Sequence, residues 1–143
     1  MLRVFHAGPW AAAGGDIALN SAESAHLVRV RRSRPGEPVE VLDGLGGIVT
    51  GVLAMADRHS DRIQIGKIAH LSVPPPRVRA VGLPKGDVFV EIIRQATELG
   101  ATDIWPLVTE RTEVRLDETR VEKKVDRWRA TALEACKQSG NPW

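Results

Sequence analysis

Three polar residues follow two short apolar segments, at positions where binding and catalysis are common. Lys85 comes after the apolar run that ends at Leu83, and Glu110 and Arg111 come after the run that ends at Val108. If both runs are neighbouring strands of a parallel sheet, these side chains meet at its carboxyl edge, where ligands bind in open α/β folds. A carboxylate there could accept a proton, and a cation could stabilise an anion or bind a phosphate.

Each of these three residues also has an ordinary structural explanation. Glu110 and Arg111 could form an exposed ion pair, which contributes little to folding, and Lys85 could be a solvated lysine in a turn. The sequence leaves both interpretations open. Glu110 and Arg111 are the candidate catalytic pair, and Lys85 is a candidate for binding a phosphate or the substrate.

A basic cluster in the first third of the chain is the candidate surface for RNA. It combines arginines that are close in sequence with a neighbouring histidine and one arginine near the start of the chain. Its members are Arg29, Arg31, Arg32, Arg34, His26 and Arg3. Such side chains would bind phosphates and position RNA without reading its sequence. A charged, solvated segment is the alternative, and the β-barrel predicted around the cluster favours RNA.

Two polar residues near the end of the chain, Gln138 and Ser139, are weaker candidates. They could contact a nucleotide or a cofactor, or they could simply cap the helix that ends there. A metal site is not predicted, because the histidines show no paired ligand spacing. Cys136 falls in an apolar helix stripe, so it is interpreted as a packing residue rather than a nucleophile.

A strand–helix–strand unit must position Lys85, Glu110 and Arg111. After the first apolar run, apolar residues recur at helical spacing, and these are Val88, Phe89, Ile92, Ile93, Ala96 and Leu99. Asp87 is the predicted N-cap and Gly100 the predicted stop. Residues 103–108 read as a second strand, parallel to the first, and a long helix then runs to Ser139.

The first half of the chain has a different pattern. Residues 39–42 and 48–53 predict a hairpin around the glycine-rich turn 43–47, and residues 62–68 predict a further strand. A short helix is expected between Ser21 and Val30, with Ser21 as its N-cap. Several short strands separated by turns favour a small antiparallel β-barrel. The fold class is therefore α+β with two domains.

The domain boundary is placed at the prolines that follow Val73, because consecutive prolines form a stiff connector. The prediction is a β-barrel over residues 1–72, a linker over 73–77 and part of an α/β domain over 78–143. Two strands make an incomplete parallel sheet with a bare edge. Further residues or another chain are expected to complete it, and the first explanation is favoured.

Length, charge and cysteine count limit the classes of protein to which this chain can belong. The chain has 143 residues, a formal net charge of +2 and a single cysteine, which excludes an intramolecular disulfide framework. No segment has the length and apolarity of a membrane span, and the N-terminus lacks the pattern of a signal peptide. We expect a cytoplasmic protein with no membrane association. The weakly basic charge is compatible with RNA binding but does not establish it.

Motifs along nearly the whole chain resemble the RsmE-type methyltransferases of the SPOUT superfamily. In the second half these are Leu83-Pro-Lys-Gly-Asp87, Ile92-Ile93, Ala96-Thr-Glu-Leu-Gly100, Pro106-Leu-Val-Thr-Glu-Arg111, Lys124 to Trp128 and Glu134-Ala-Cys-Lys-Gln-Ser-Gly140. In the first half they are Ala25-His26-Leu27, Val30, Pro35-Gly36 and Val39-Glu-Val-Leu-Asp-Gly44. These motifs, found in order along the chain, are together strong evidence, although each alone is weak.

The resemblance implies a PUA-like RNA-binding barrel followed by the first half of a trefoil-knot domain. It implies methylation of N3 of a uridine in 16S ribosomal RNA of the small subunit, with S-adenosylmethionine as cofactor and a homodimer as the active form. Arg111 would stabilise the uracil anion, and Lys85 and the basic cluster would hold the RNA. The family's cofactor loops would lie beyond Trp143, so this chain is expected to be truncated and unable to close that pocket. A non-catalytic RNA-binding module and a dimerisation fragment are the alternatives.

Overall fold

The computed structural model describes residues 1–27, 32–55, 61–113 and 118–143. The chain folds into two compact units. The first unit comprises Met1–Val73 with Pro142–Trp143, and the second comprises Pro74–Asn141. The first unit contains most of the strands, and the second holds both long helices.

The first unit contains one five-stranded sheet and a short helix. Its elements are β1 (Leu2–Phe5), β2 (Asp16–Ala18), α1 (Ser21–Ala25), β3 (Pro38–Leu42), β4 (Gly47–Met55) and β5 (Arg62–His70). The strand order is β1-β3-β4-β5-β2. Three of the pairings are antiparallel, whereas β1 runs parallel to β3, so the sheet is mixed rather than wholly antiparallel.

The hairpin between β3 and β4 depends on the turn 43–47. The Asp43 carboxylate oxygen Oδ1 accepts the backbone N–H groups of Leu45 at 2.7 Å and Gly47 at 2.8 Å. Gly44 and Gly46 have φ angles of 75° and 88°, a region that glycine enters without a Cβ clash. The glycines of this turn therefore serve hairpin geometry, as the sequence predicts.

Alternation of side chains builds the core of the first unit. In β3 and β5 every second residue is buried over most of the strand, as expected for strands with one covered face. The buried cluster consists of Val4, Ile17, Leu19, Leu27, Val39, Val41, Val49, Leu53, Ile63 and Ile65. The first unit thus has a hydrophobic core of its own.

The start of α1 differs from the prediction by one residue. Asn20, rather than Ser21, is the N-cap, and its side-chain Oδ1 accepts the backbone N–H of Glu23 at 2.9 Å. Asparagine and serine are equally good caps, so composition alone does not distinguish them. Ser21 is the first residue of the helix itself.

The second unit consists of two βα pairs: β6 (Val78–Gly82), α2 (Val88–Glu98), β7 (Asp103–Leu107) and α3 (Glu118–Ser139). β6 and β7 pair in parallel, with Val78 opposite Asp103 and Gly82 opposite Leu107. The Leu83 N–H continues the ladder to the Leu107 carbonyl at 2.9 Å. The predicted parallel unit is confirmed.

Both helices pack on one face of this small sheet. Leu83, Phe89 and Ile93 are buried, and the Phe89 ring meets the Trp128 ring edge-on with centroids 4.7 Å apart. On the other face Trp105 is 54% exposed and Leu107 is 41% exposed. Parallel sheets are usually covered on both faces, so this apolar face is unusual within the described part of the chain.

Both ends of α2 lie at the residues that the sequence predicts. Gly100 has a φ of 83° and its N–H bonds to the Thr97 carbonyl at 3.0 Å, so it ends the helix as predicted. Asp87 occupies the N-cap position but makes no side-chain capping bond. Its carboxylate is engaged elsewhere, by a residue of α3.

Within the residues that the structure describes, no helix combines the length and apolar character needed to cross a membrane.

The core of the second unit gives a first testable expectation. Phe89→Ala removes a ring that is 2% exposed and contacts Trp128, so we expect the free energy of unfolding to fall by about 3–5 kcal/mol. Leu99→Ala, at a side chain that is 81% exposed at the C-terminal end of the same helix, is the matched control and should change stability by less than about 0.5 kcal/mol. Urea denaturation followed by tryptophan fluorescence measures both. Equal effects of the two substitutions would contradict the packing described here.

Candidate functional site

The candidate site of the second unit is the rim at the carboxyl ends of β6 and β7. Lys85 follows β6 in the turn that leads into α2, and Gly86 in that turn has a φ of 66°. Glu110 and Arg111 follow β7. Parallel pairing of the strands places both turns at the same edge of the sheet. The structure therefore brings together three residues that the sequence singles out.

A hydrogen-bonded turn presents Glu110 and Arg111. The Thr112 N–H donates to the Thr109 carbonyl at 2.9 Å, and the Thr109 N–H donates to the Thr112 hydroxyl at 2.8 Å. The two hydroxyls are also 3.1 Å apart. Glu110 and Arg111 are the central residues of this turn and both are exposed. Their side chains are thus accessible to a ligand that approaches from solvent.

An ion pair links the two turns of the rim. The Lys85 ammonium contacts a carboxylate oxygen of Glu113, and the two side chains are 70% and 67% exposed. Sequence reasoning missed Glu113 because its partner lies in a different loop. The pair confirms that the Lys85 turn and the residues after β7 are spatial neighbours, although an exposed pair adds little stability.

A second ion pair ties α3 to the same rim. Arg127 Nη1 donates to Asp87 Oδ1 at 2.7 Å, so the carboxylate predicted to cap α2 instead binds a residue far away in sequence. This hydrogen bond and the positive charge of Arg127 lower the pKa of Asp87 below its ordinary value. Lys124, also on α3, contributes to the same effect. Sequence reasoning missed the pairing of Arg127 with Asp87, although the resemblance included the segment around Trp128.

The rim therefore carries both positive and negative side chains, which come from the turn after β6, the residues after β7 and helix α3. Its cations are Lys85, Arg111, Lys124 and Arg127, and its carboxylates are Asp87, Glu110 and Glu113. Exposed cations of this kind can bind phosphate or stabilise a developing anion. An exposed carboxylate such as Glu110 can accept a proton if a ligand comes within hydrogen-bond distance.

Gln138 and Ser139 lie away from this rim. Asn141, just beyond them, donates from Nδ2 to the Thr97 carbonyl at 3.1 Å, near the C-terminal end of α2. The rim is at the other end of that helix, whose 11 residues span about 16 Å. The Ser139 hydroxyl donates to the Ala135 carbonyl at 2.7 Å, which fits the alternative of a helix-end role. The cofactor role of both residues stays a prediction.

The basic cluster of the first unit is only partly described. Arg29 and Arg31 lie outside the described residues. Arg32 has a φ of 52°, and Arg34 is exposed. Arg34 is therefore accessible to phosphates on the surface of the first unit, and RNA binding by Arg32 stays a prediction.

The other two members of the cluster have structural contacts. Arg3 Nε donates to Glu40 Oε2 at 2.7 Å across the paired strands β1 and β3, and the two side chains are only 24% and 21% exposed. His26 is half-buried and forms the C-cap of α1. Arg3 is therefore a less accessible candidate than the sequence suggests, and RNA binding by His26 stays a prediction.

Among the described residues no group of three or more histidine, cysteine or acidic side chains is arranged to hold a metal ion.

Two sequence profiles match the chain in succession. The profile of the RNA methyltransferase PUA domain matches residues 19–65, and the profile of the RNA methyltransferase domain matches residues 74–143. The first match falls in the mixed-sheet unit, and the second covers the parallel-sheet unit.

Curated relatives match along most of the chain. A Bacillus subtilis protein named "Ribosomal RNA small subunit methyltransferase E" is 47% identical over 125 residues, which is 86% of this chain and 49% of that protein. A Synechocystis protein of the same name is 36% identical over 127 residues, or 89% of this chain and 41% of that protein. The chain belongs to the RsmE-type RNA methyltransferase family. It spans about half the length of these RsmE-type relatives.

Solved structures agree with the RsmE-type fold. A Neisseria gonorrhoeae protein, described as a ribosomal RNA small subunit methyltransferase E bound to S-adenosyl methionine, has a TM-score of 0.86 and 30% identity. The match covers 98% of this chain and 58% of that one. A Legionella pneumophila protein whose structure contains bound SAM has a TM-score of 0.87 at 23% identity, over 99% of this chain and 59% of that one, which supports the fold alone. The two-domain SPOUT-class fold predicted from the sequence is confirmed.

The cysteine on α3 gives a second testable expectation. Burial raises the pKa of the Cys136 thiol above its ordinary value, and the thiolate is the reactive form. We therefore expect iodoacetamide at a pH of about 8 to modify Cys136 severalfold more slowly in the folded protein than in urea. Mass spectrometry of timed samples measures the rate. The same rate in both states would contradict the burial of Cys136.

Proposed function

We propose that this protein takes part in the methylation of N3 of a uridine in 16S ribosomal RNA, with S-adenosylmethionine as the methyl donor. The observation that supports this most directly is the match to RsmE-type relatives through both units of the chain. The rim of the second unit has the groups such a reaction needs. The residues described here supply RNA binding and contacts to the uridine.

Uridine N3 keeps its proton at neutral pH, so the proton must leave before or while N3 attacks a methyl carbon. In the proposed scheme Glu110 accepts that proton, or orients the water that does, and Arg111 stabilises the negative charge on the uracil ring. Both side chains stand at the tip of one exposed turn after β7. Lys85, on the neighbouring turn, binds a phosphate of the RNA.

S-adenosylmethionine, when bound, supplies the electrophilic methyl group. Among the described residues, the two predicted cofactor contacts Gln138 and Ser139 do not join the rim, because they lie at the other end of α2. Within the described part of the chain, Gln138 and Ser139 therefore do not contribute to a cofactor pocket at the rim. The proposed scheme gives these two residues no step.

Three further features belong to the same proposal. We infer domains at residues 1–72 and 78–143 with a linker at 73–77, and two separate profile matches, to residues 19–65 and 74–143, support a division of the chain in this region. We infer a homodimer, which the family resemblance implies and which could cover the exposed Trp105 and Leu107. Small-subunit ribosomal RNA is the inferred partner, and the cytoplasm is the inferred location. Light scattering of the purified protein measures the oligomeric state.

A non-catalytic RNA-binding module is the second candidate. It is favoured by the exposed positions of Arg32 and Arg34 in the first unit, since arginines there can bind phosphates without any chemical step. In that case Arg32, Arg34 and Lys85 would still bind phosphates, but no methyl group would be transferred. The two candidates differ in chemistry and share the RNA surface.

A chimaera tests the catalytic role of these residues. Residues 1–143 replace the matching part of the Bacillus subtilis relative, and the chimaera is incubated with unmodified 16S ribosomal RNA and S-adenosylmethionine. We expect N3-methyluridine by nucleoside mass spectrometry, and a loss of about tenfold to a thousandfold in rate for Arg111→Ala, because the anion loses its cation. Arg94→Ala, at an exposed arginine paired with Glu91 in the middle of α2, is the matched control.

The outcome separates the two candidates. A folded chimaera that binds RNA but transfers no methyl group would favour the RNA-binding module. An active chimaera in which Arg111→Ala behaves like Arg94→Ala would contradict the role given to Arg111. The melting temperature of each variant shows whether lost activity reflects lost structure.

RNA binding itself gives a separate expectation for the 143-residue chain. Lys85→Ala should weaken binding to 16S ribosomal RNA and reduce the slope of log affinity against log salt by about 1, because one phosphate contact is lost. Filter binding at several salt concentrations measures the slope. An unchanged slope would mean that Lys85 contacts no phosphate.

A further inference from the structure

Two of the cations at the rim are each paired with a carboxylate from another part of the chain. Lys85, after β6, pairs with Glu113, after β7. Arg127, on α3, pairs with Asp87, at the start of α2. These carboxylates occupy, in the free protein, N–H groups that a phosphate would use. The pairs therefore bear on how RNA reaches the rim.

The Asp87–Arg127 pair replaces an ordinary local interaction. Aspartate at an N-cap usually accepts a backbone N–H of its own helix, and here it makes no such bond. Its oxygen lies 2.7 Å from Arg127 Nη1 instead. The edge-on contact of Phe89 with Trp128, next to these residues in sequence, fixes the two helices against each other. The pair is consequently held in place by the core beneath it.

Both pairs are open to a competing ligand. The four side chains are between 58% and 73% exposed. Exposed ion pairs contribute little net free energy, so a ligand that offers equivalent oxygens can displace the carboxylate at small cost. Phosphate is such a ligand, because it accepts the same N–H groups of lysine and arginine that a carboxylate accepts. Neither pair would resist an approaching RNA strand.

We propose that Glu113 and Asp87 are internal competitors of RNA: each holds a rim cation in the free protein and gives it up to an RNA phosphate on binding. This inference rests on the proposed function, because it takes RNA as the ligand. It adds to that function a role for two carboxylates and identifies Arg127 as a second phosphate-binding cation of the rim. The competition lowers the affinity of the rim for RNA, because a phosphate must displace a carboxylate before it binds either cation.

The experiment measures equilibrium binding of the 143-residue chain to unmodified 16S ribosomal RNA. The test variants are Glu113→Gln and Asp87→Asn, which remove the charge and keep the shape of each side chain. The control is Glu98→Gln, which makes the same charge change at an exposed position at the far end of α2. A double variant, Lys85→Ala with Glu113→Gln, tests whether the effect of Glu113 acts through Lys85.

We expect each test variant to bind RNA about twofold to fivefold more tightly than Glu98→Gln, since that is the range set by breaking an exposed ion pair. The gain from Glu113→Gln should disappear when Lys85 is already alanine, because no cation is left to release. Melting temperatures of the single variants should stay close to that of the wild type, which shows that the change in affinity is not a change in folding.

The failures are distinguishable. If the wild-type chain does not bind this RNA at all, both the proposed function and the inference that rests on it are contradicted. If the wild type binds but the test variants bind no more tightly than Glu98→Gln, the inference alone is overturned. A gain from Glu113→Gln that persists unchanged in the Lys85→Ala background would also overturn it, since general electrostatics would then explain the gain.

Discussion

The parallel pairing of β6 with β7 is the constraint on which the candidate site depends. Parallel strands end at the same edge, so the turn after Gly82 and the turn after Leu107 must be neighbours. Antiparallel pairing would put Lys85 and Arg111 at opposite ends of the sheet. The packing of Phe89 on Trp128 then brings α3 and its cations to the same edge. One strand pairing and one aromatic contact therefore assemble the rim from three separate parts of the chain.

Sequence patterns predict the elements better than their contacts. The apolar spacing of Val88 to Leu99 and the glycine at position 100 define α2 because both depend on local geometry. Asp87 occupies the predicted N-cap position, but its carboxylate binds Arg127, distant in sequence, instead of a backbone N–H of α2. The partnership of Lys85 with Glu113 has no local signature either. Long-range ion pairs depend on the final packing, which no short segment encodes.

The first unit shows the same division. The glycine-rich turn between two apolar runs predicts β3 and β4, and the alternating residues from Arg62 predict β5. The parallel pairing of β1 with β3, in contrast, joins segments that no turn connects directly. That pairing places Arg3 opposite Glu40 and gives the arginine a partner that is only 21% exposed. A basic residue interpreted from sequence as an RNA contact can thus be part of the sheet's own structure. Arg34 is better placed for RNA, because it is exposed.

In the proposed function, RNA approaches the second unit at the carboxyl edge of its sheet. Amide chemical shifts of the isotope-labelled chain, titrated with a short RNA from the 16S sequence, measure where the RNA binds. We expect the largest shifts at Lys85, Arg111 and Glu113, with smaller ones at Arg127. Shifts concentrated instead at Arg77, Leu99 and Ala101, at the opposite edge, would contradict it.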